Sequence, residues 1–320
     1  MAHFHSAVRR RSLACDISLK YIILVLKNST YPYLNRTLAD LKLNGIELIP
    51  IVADGREPGT ADGSFGQMIP LSEDKAYEAL SDDNRKCSYM LTDCRAGIVL
   101  ARRYGLGYVF CDVFESDVFW TGEDNRPQCI IQGFDEIDAD FFIKMYQRFH
   151  HLPWTILNTE RLILREMTVD DVDRLYEIYA GEGITEYTEP LYKDRQQEIE
   201  YTRDYIRNMY EFCGYGLWLV VEKDGGRIVG RAGITGREGY DEAELGYVIE
   251  RERQGRGYAS EACRAIVLYA KELGMNGLNC FVCPGNVTSE KLCKLLGFEF
   301  IEDTVINGED MRRYHLSLQI

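Results

Sequence analysis

Nowhere in the 320 residues do 18 apolar residues run without interruption, so no stretch can cross a bilayer as a helix. Basic residues are in deficit. There are 37 Lys and Arg against 51 Asp and Glu, a net charge of −14, which sets aside a surface devoted to nucleic-acid phosphates or anionic lipid. A local basic groove for a small anion stays open. No apolar h-region follows Arg9, Arg10 and Arg11 before Asp16 and Lys20, so a signal peptide is not expected. Histidine is scarce, with five in all. His150 and His151 adjoin at a predicted helix end, where they suit the macrodipole better than a metal that would need further ligands. The ten cysteines form no framework and read as free thiols of a reducing cytoplasm. Cys280 and Cys283 make a C-x-x-C without a second Cys/His pair, so two half-buried strand cysteines are expected there and no metal site. G-x-x-x-x-G-K-[ST] is absent, as is G-x-G-x-x-G with a later acidic ribose anchor, which excludes the two best-known phosphate loops. Internal repeats and low-complexity tracts are missing too.

What is present is a globular mixture: 46% hydrophobic and 28% charged residues, with 21 Tyr and 13 Phe to build cores. At roughly 150 residues per domain the length suggests two domains. The expected division is residues 1–150, a linker at 151–158, and 159–320. In the first part Tyr21–Leu26, Ile46–Val52, Tyr89–Leu91, Tyr108–Cys111 and Cys129–Gln132 read as strands apolar on both faces. They alternate with predicted helices over Tyr33–Asn44, Arg95–Tyr104 and Asp140–His150. That alternation predicts a Rossmann-like parallel sheet.

The second part is patterned differently. Thr159–Met167 alternates as a strand, Thr168 caps a helix with acidic residues in its first turn, and a second helix is expected over Arg195–Phe212. Three strands follow as a meander, Leu217–Glu222, Arg227–Thr235 and Ala243–Glu250, with Asp224-Gly225-Gly226 as a hairpin turn between the first two. This predicts an α+β domain with a mixed, mostly antiparallel sheet, so the whole chain is expected to be α/β.

Directly after the strand ending near Ile249 comes Arg251-Glu252-Arg253-Gln254-Gly255-Arg256-Gly257-Tyr258-Ala259, and then a predicted helix over Ser260–Leu273. A strand, a glycine-rich turn and a helix start together make an anion site: the backbone can come close, its N–H groups point outward, and the helix dipole favours negative charge. Arg251, Arg253 and Arg256 add cations beside it. Gln254 to Ala259 also matches the [RQ]-x-x-G-x-[GA] signature of the GNAT superfamily of N-acetyltransferases. Asn286 to Phe298 (NVTSEKLCKLLGF) resembles the second signature of its ribosomal-protein and N-terminal acetyltransferase branch. TERLILREMTVDDVDRLYEIY and Glu242 to Ile249 resemble that branch as well, and the likeness spans residues 157–320.

The resemblance implies acetyl-CoA as cosubstrate, lying in a V-shaped split between Ala243–Ile249 and the strand Met275–Val282. It implies that backbone groups of Tyr247, Val248 and Ile249 pair with the pantetheine arm. The N–H groups of Arg253, Gln254, Gly255, Arg256, Gly257, Tyr258 and Ala259 would take the pyrophosphate, and Asn286 would contact the pantetheine or acetyl end. The acceptor would be a small-molecule or peptide amine, with no nucleic acid and no membrane; a homodimer is left open.

Amine acetylation needs a neutral nucleophile. At pH 7 a lysine amine is neutral in about one molecule in 2,500 and an α-amine in about one in ten, so a base has to accept a proton. Alternation puts Glu244, Gly246 and Val248 on one face of the strand, and a carboxylate there is expensive unless it works or is paired, so Glu244 is the expected base with Glu242 as fallback. Many family members carry a Tyr four residues before the G-F glycine, but here that position is Cys293. In the branch resembled, the Ser of N-x-x-S is the candidate acid, which maps to Ser289. The missing phenol keeps alive an alternative, a noncatalytic acyl-CoA sensor whose N-terminal domain binds a partner. That N-terminal domain, through Met90 to Gly97 with Ala101 and Gly105, resembles a strand–helix element of haloacid-dehalogenase-like phosphatases over about twenty residues. Those enzymes attack phosphate with an Asp after the first strand, where Lys27-Asn28 stands here, so a noncatalytic domain is expected.

Overall fold

Tyr21–Val25 (YIILV) has no polar face to offer water, and it lies inside a sheet as β1. The computed structural model describes residues 18–27, 30–52, 69–70, 82–112, 127 and 129–319, which divide into a unit ending at Leu152 and a unit running from Pro153. The first unit adds β2 (Glu47–Val52), β3 (Ile69–Pro70), β4 (Ser88–Thr92), β5 (Tyr108–Cys111) and β6 (Cys129–Ile131). The strand order is β3-β2-β1-β4-β5-β6 and every pairing is parallel. Helices α1 (Leu34–Leu43), α2 (Asp82–Lys86), α3 (Arg95–Tyr104) and α4 (Ala139–Phe149) complete it. Ile22 and Leu24 pack with α1 and α4, while Ile23 and Val25 pack with α3, so β1 is apolar on both faces because both are covered.

The chain reverses its sheet order between β1 and β4, the place where open α/β sheets bind ligands. Here Asp93, just past β4, accepts from the Lys27 N–H (2.7 Å) and the Tyr31 hydroxyl (2.8 Å), so it ties down the loop after β1. Asn28 lies outside the described residues, as do Arg9 to Arg11. The macrodipole reading of His150 is corrected. Its ring packs against Tyr146 and Phe149, and burial, aided by His151, lowers its pKa and keeps it neutral.

The second unit is an eight-stranded sheet built from β7 (Thr155–Asn158), β8 (Leu162–Arg165), β9 (Leu217–Glu222), β10 (Ile228–Thr235), β11 (Glu244–Ile249), β12 (Gly277–Val282), β13 (Glu299–Ile306) and β14 (Glu309–Ser317). Its order is β13-β14-β12-β11-β10-β9-β8-β7, and all pairings are antiparallel except β11 with β12. Helices α5 (Val172–Tyr179), α6 (Arg195–Tyr205), α7 (Tyr258–Glu272) and α8 (Val287–Leu296) accompany it. The chain is thus α/β, with a parallel sheet and a mixed, mostly antiparallel one. Thr168 and Asp171 form a reciprocal capping box ahead of α5. The single helix expected over Arg195–Phe212 is corrected: beyond Tyr205 it widens into π-helical turns up to Cys213.

The end of β11 is held by a buried charge. Glu250, 3% exposed, accepts from Arg174 of α5 and receives Arg227 of the β9–β10 hairpin at two 3.0 Å contacts. Burial alone would raise the Glu250 carboxyl, but hydrogen bonds from Arg227 and Arg174 outweigh it and hold it below its ordinary value of 4.5. Glu250→Gln should therefore lower stability to urea at pH 7 by about 3 kcal/mol. A carboxyl depressed by folding stabilises above its unfolded pKa, so the gap between variant and wild type should close as pH falls below 4.5. An equal urea midpoint at pH 7 would show that these bridges contribute nothing.

Candidate active site

Strand β11 meets β10 along its whole length, from Thr235↔Glu244 to Gly230↔Ile249, but meets β12 only at Glu244↔Asn279. Beyond that point the two strands part, and the split has β11 as one wall. Odd-numbered residues turn their main-chain groups toward it. The carbonyl of Ala243 accepts from the Asn279 N–H (2.8 Å), that of Leu245 from the Cys280 thiol (3.4 Å), and that of Ile249 from the Gln254 amide (3.0 Å). Even-numbered Glu250 donates the other way, to Val229 on β10. By the same alternation Tyr247 offers its N–H and C=O to the split, where an amide-bearing chain could pair as an added strand. The expectation for Val248 is corrected: its main-chain groups face β10, opposite Arg231.

The turn that follows is short and open. Gly255 (φ +73°) and Gly257 (φ +81°) take left-handed conformations, and a side chain on Gly255 would meet nothing within 4 Å. Gly257 is the N-cap of α7 and has no side-chain cap. Arg253 and Gln254 donate their N–H groups to Glu250 and Arg251, closing a helical turn, so these two are not available to an anion. Among the described residues the N–H groups of Gly255, Arg256 and Gly257 have no acceptor, and those of Tyr258 and Ala259 are the orphan donors of α7. The arginines are also sorted. Arg253 pairs with Glu222 (3.0 Å), Arg251 reaches Gln254 (3.5 Å), and Arg256 is left exposed, in no ion pair among the described residues. Arg161 of the β7–β8 corner clamps the turn: its Nη1 donates to the Arg256 carbonyl (3.0 Å), its Nε pairs with Glu261 (2.7 Å), and its guanidinium covers the Tyr258 ring. These features fit the pyrophosphate and amide arm of a coenzyme A, the first through backbone donors and a helix start, the second through the free edge of β11.

Glu244 stands at the vertex of the split on the face away from α7 and α8. Its side chain is 13% exposed and its carboxylate accepts from Arg237 at 2.5 Å. Burial raises the Glu244 carboxyl above its ordinary value, and Arg237 opposes without cancelling. Glu242 reaches His315 on the same face (2.7 Å). On the opposite face the Tyr247 hydroxyl lies 2.9 Å from the Ser289 hydroxyl. Ser289 is in the first turn of α8, whose N-cap is Asn286; the Asn286 side-chain oxygen accepts from the Ser289 N–H (3.1 Å). Sequence reasoning valued Tyr247 for its backbone and missed its phenol. The alternation that put Tyr247 opposite Glu244 already aimed that phenol toward the helices. The cysteine expectation is corrected as well: Cys280 is buried at 7% exposure, and Cys283 lies past the strand with its thiol 3.5 Å from the Met311 sulfur. Among the described residues no group of three His, Cys, Asp or Glu is placed to hold a metal, and no helix is long and apolar enough to cross a membrane.

Residues 161–299 match the family of the acetyltransferase (GNAT) domain. Among curated proteins the chain is similar to an uncharacterized N-acetyltransferase, p20, of Bacillus licheniformis, at 29% identity over 45% of this chain and 82% of p20. It is similar to YkkB of Bacillus subtilis at 31% identity, over 46% of this chain and 86% of YkkB. A solved acetyltransferase from Agrobacterium tumefaciens is 27% identical over 51% of this chain and 95% of its own, with a TM-score of 0.44.

Gly257→Asp should place a side chain and a negative charge beside the free N–H groups. Acetyl-CoA affinity measured by calorimetry should fall roughly tenfold to a hundredfold, the loss of one or two charge-assisted hydrogen bonds. Because φ at Gly257 is +81°, the side chain is also strained and the melting temperature should fall modestly; Gly257→Asn carries the same strain without the charge and should keep more of the affinity. Unchanged affinity would remove the turn from the binding site.

Proposed function

The chain belongs, through its second unit, to the GNAT acetyltransferase family, which uses acetyl-CoA as cosubstrate on amine acceptors, and from that premise we propose direct acetyl transfer to a primary amine with Glu244 as general base. Acetyl-CoA supplies an acetyl group activated as a thioester. Glu244 supports the reading best: it is the buried carboxylate at the vertex of the split, on the sheet face opposite α7 and α8. Its raised pKa makes it a better proton acceptor than an exposed glutamate. Arg237 holds the carboxylate oriented until the amine arrives.

On the other side of β11, Ser289 and Tyr247 share one hydrogen bond and together hold a proton for the departing sulfur. A phenol therefore stands next to the N-x-x-S serine although position 293 is a cysteine, and this favours catalysis over a sensor that only binds. Burial raises the Tyr247 phenol well above its ordinary value, so it stays protonated and can donate. The first unit we read as a noncatalytic Rossmann-like domain over residues 1–150, joined by residues 151–158 to the transferase at 159–320; the use of Asp93 to tie down the loop after β1 supports that reading.

Glu244→Gln should lower turnover by roughly 10²–10⁴ near pH 7 while acetyl-CoA affinity holds. The defect should shrink as pH rises and more amine is already neutral. In the wild type the acidic limb of kcat/KM should lie above the ordinary glutamate value of 4.5, because the carboxyl is raised. A drop of less than threefold, or a pH profile of unchanged shape, would take Glu244 out of the mechanism. Tyr247→Phe should slow turnover by about tenfold and Ser289→Ala by more, with the double variant no worse than the serine change alone if the two act as one relay. Additive losses in a double-mutant cycle would argue against the relay.

A further inference from the structure

Beside Glu244 stands a guanidinium that is only half used. Arg237, on the loop from β10 to β11, gives its Nε to the Glu244 carboxylate at 2.5 Å. Its two Nη groups have no acceptor among the described residues, yet they are not sealed from solvent. Aromatic rings hold the group in place. Its central carbon lies 5.1 Å from the centre of the Phe281 ring, and Phe281 meets Tyr240 edge-on at 4.8 Å. Tyr240 anchors the loop: its hydroxyl reaches that of Thr304 (3.3 Å), and the Arg313 guanidinium covers its ring at 5.0 Å. Arg313 itself is spent on Glu302 and Asn279.

The room beside this pair is short. Past Glu244 on the same face comes Gly246, where an added side chain would meet Leu217 Cδ2 at 3.7 Å, and one on the facing Gly233 would strike the Gly216 carbonyl oxygen. An acceptor whose amine meets Glu244 therefore cannot extend along β11 toward Ile249. Its other contacts have to lie on the side of the β10–β11 loop, where the Arg237 Nη groups are. Charge there is of both signs. Glu189, on the loop between α5 and α6, acts electrostatically on Glu244, so the amine end meets two carboxylates and the other end meets a cation with unused donors. A dication or a dianion would waste one end, whereas a molecule with one charge of each sign uses both. A carboxylate on the Nη edge lies roughly 6 Å from the Glu244 oxygen, because the two donor edges belong to one planar group. A hydrogen bond to the amine takes roughly 3 Å of that, which leaves the span of one or two carbons.

We infer that the acceptor is a short amino acid, its amine at Glu244 and a carboxylate one or two carbons away on the Nη groups of Arg237. This rests on the reading that Glu244 is the base. Arg237 keeps Glu244 while it takes the carboxylate, since its Nε and its Nη groups are separate donors. A peptide presents the same chemistry only when its first residue is aspartate. The transfer stays balanced: the amine nitrogen bonds the acetyl carbon and the carbon–sulfur bond breaks. Of the two protons the ammonium gives up, one leaves through Glu244 and the other replaces the one that the Ser289–Tyr247 pair gives to sulfur.

The test uses the full protein. Glycine, β-alanine and the L-α-amino acids with a primary amine are each compared with their amides, and the peptide Asp-Ala-Ala with Asn-Ala-Ala. An amide makes the amine less basic and more often neutral, so a preference for the acid reports recognition and not reactivity. Wild type should favour the carboxylate member of at least one pair by roughly tenfold to a hundredfold in kcat/KM, expressed in KM. Which pair shows it separates a free amino acid from a peptide. Arg237→Gln loses both the carboxylate partner and the hold on Glu244. It should slow both members and slow the acid by that further factor, so that the preference disappears. Arg237→Lys should restore part of it, and gives the same reading should the glutamine variant fail to fold. Calorimetry of acceptor binding in the presence of coenzyme A needs no turnover. Carboxylate-dependent binding lost in Arg237→Gln but without acetyl transfer in wild type would overturn the Glu244 mechanism and keep this assignment. No preference in any pair by rate or by heat, or equal losses on both members in Arg237→Gln at unchanged melting temperature, would overturn it.

Discussion

Asn279 is the hinge pin of the transferase unit. At 1% exposure its N–H donates to the Ala243 carbonyl, its side-chain amide donates to the Glu242 carbonyl (3.1 Å), and its side-chain oxygen accepts from Arg313 Nε (2.9 Å). A buried amide satisfied on these sides fixes the one point where β11 and β12 touch. Because they pair as strands only there, the rest of β11 keeps an edge free, Glu244 sits at the apex, and the open side of the split leads to the glycine turn. Three more register pairs, up to Tyr247 against Val282, would close the split over Tyr247. One fewer would let the apex drift and carry Glu244 with it.

Charge around the turn is arranged by subtraction. The sequence offers three arginines beside the glycines, which suggests a guanidinium clamp. The fold spends Arg253 on Glu222 and ties Arg251 to Gln254, while Arg174 and Arg227 converge on Glu250. In the proposed site, recognition of an anion would fall to main-chain donors at the start of α7 and to Arg256. Backbone donors cannot swing away or change rotamer, so the geometry of the turn, more than its net charge, sets what fits.

Much of this was legible in sequence for specific reasons. β1, β5 and β9 were recognisable because their runs are almost uninterruptedly apolar, with a hairpin signal after β9, and Arg95–Tyr104 because Gly105 ends it with φ +64°. The face of β11 that Glu244 occupies was legible from period-two alternation, a local property. What escaped was non-local. The carboxylate partner of Arg237 is seven residues away across a loop, the Tyr247–Ser289 contact joins positions 42 apart, and Glu250 gathers arginines from α5 and from the β9–β10 hairpin. No spacing rule carries such pairs. Thr159 was read as part of a strand, but it turns back on the chain: its hydroxyl donates to Glu261 (2.6 Å) and accepts from the Leu162 N–H (3.0 Å), so β8 begins only at Leu162. Beyond Tyr205, helical periodicity announces a helix without announcing its width.

The sole parallel pairing of the second sheet is also the one that needs a crossover, and α7 is that crossover. Strand β12 joins β11 across residues 250–276, as β9 joins β8 across residues 166–216, so forming the groove between β11 and β12 is a non-local step. A molecule that bridges the two strands meets only chains that have completed this step. Its binding free energy is then added to the stability of the folded unit, about 2.7 kcal/mol at a hundred times its dissociation constant. In a cell where coenzyme levels rise and fall, the abundance of the intact sheet would follow the supply of its own cosubstrate.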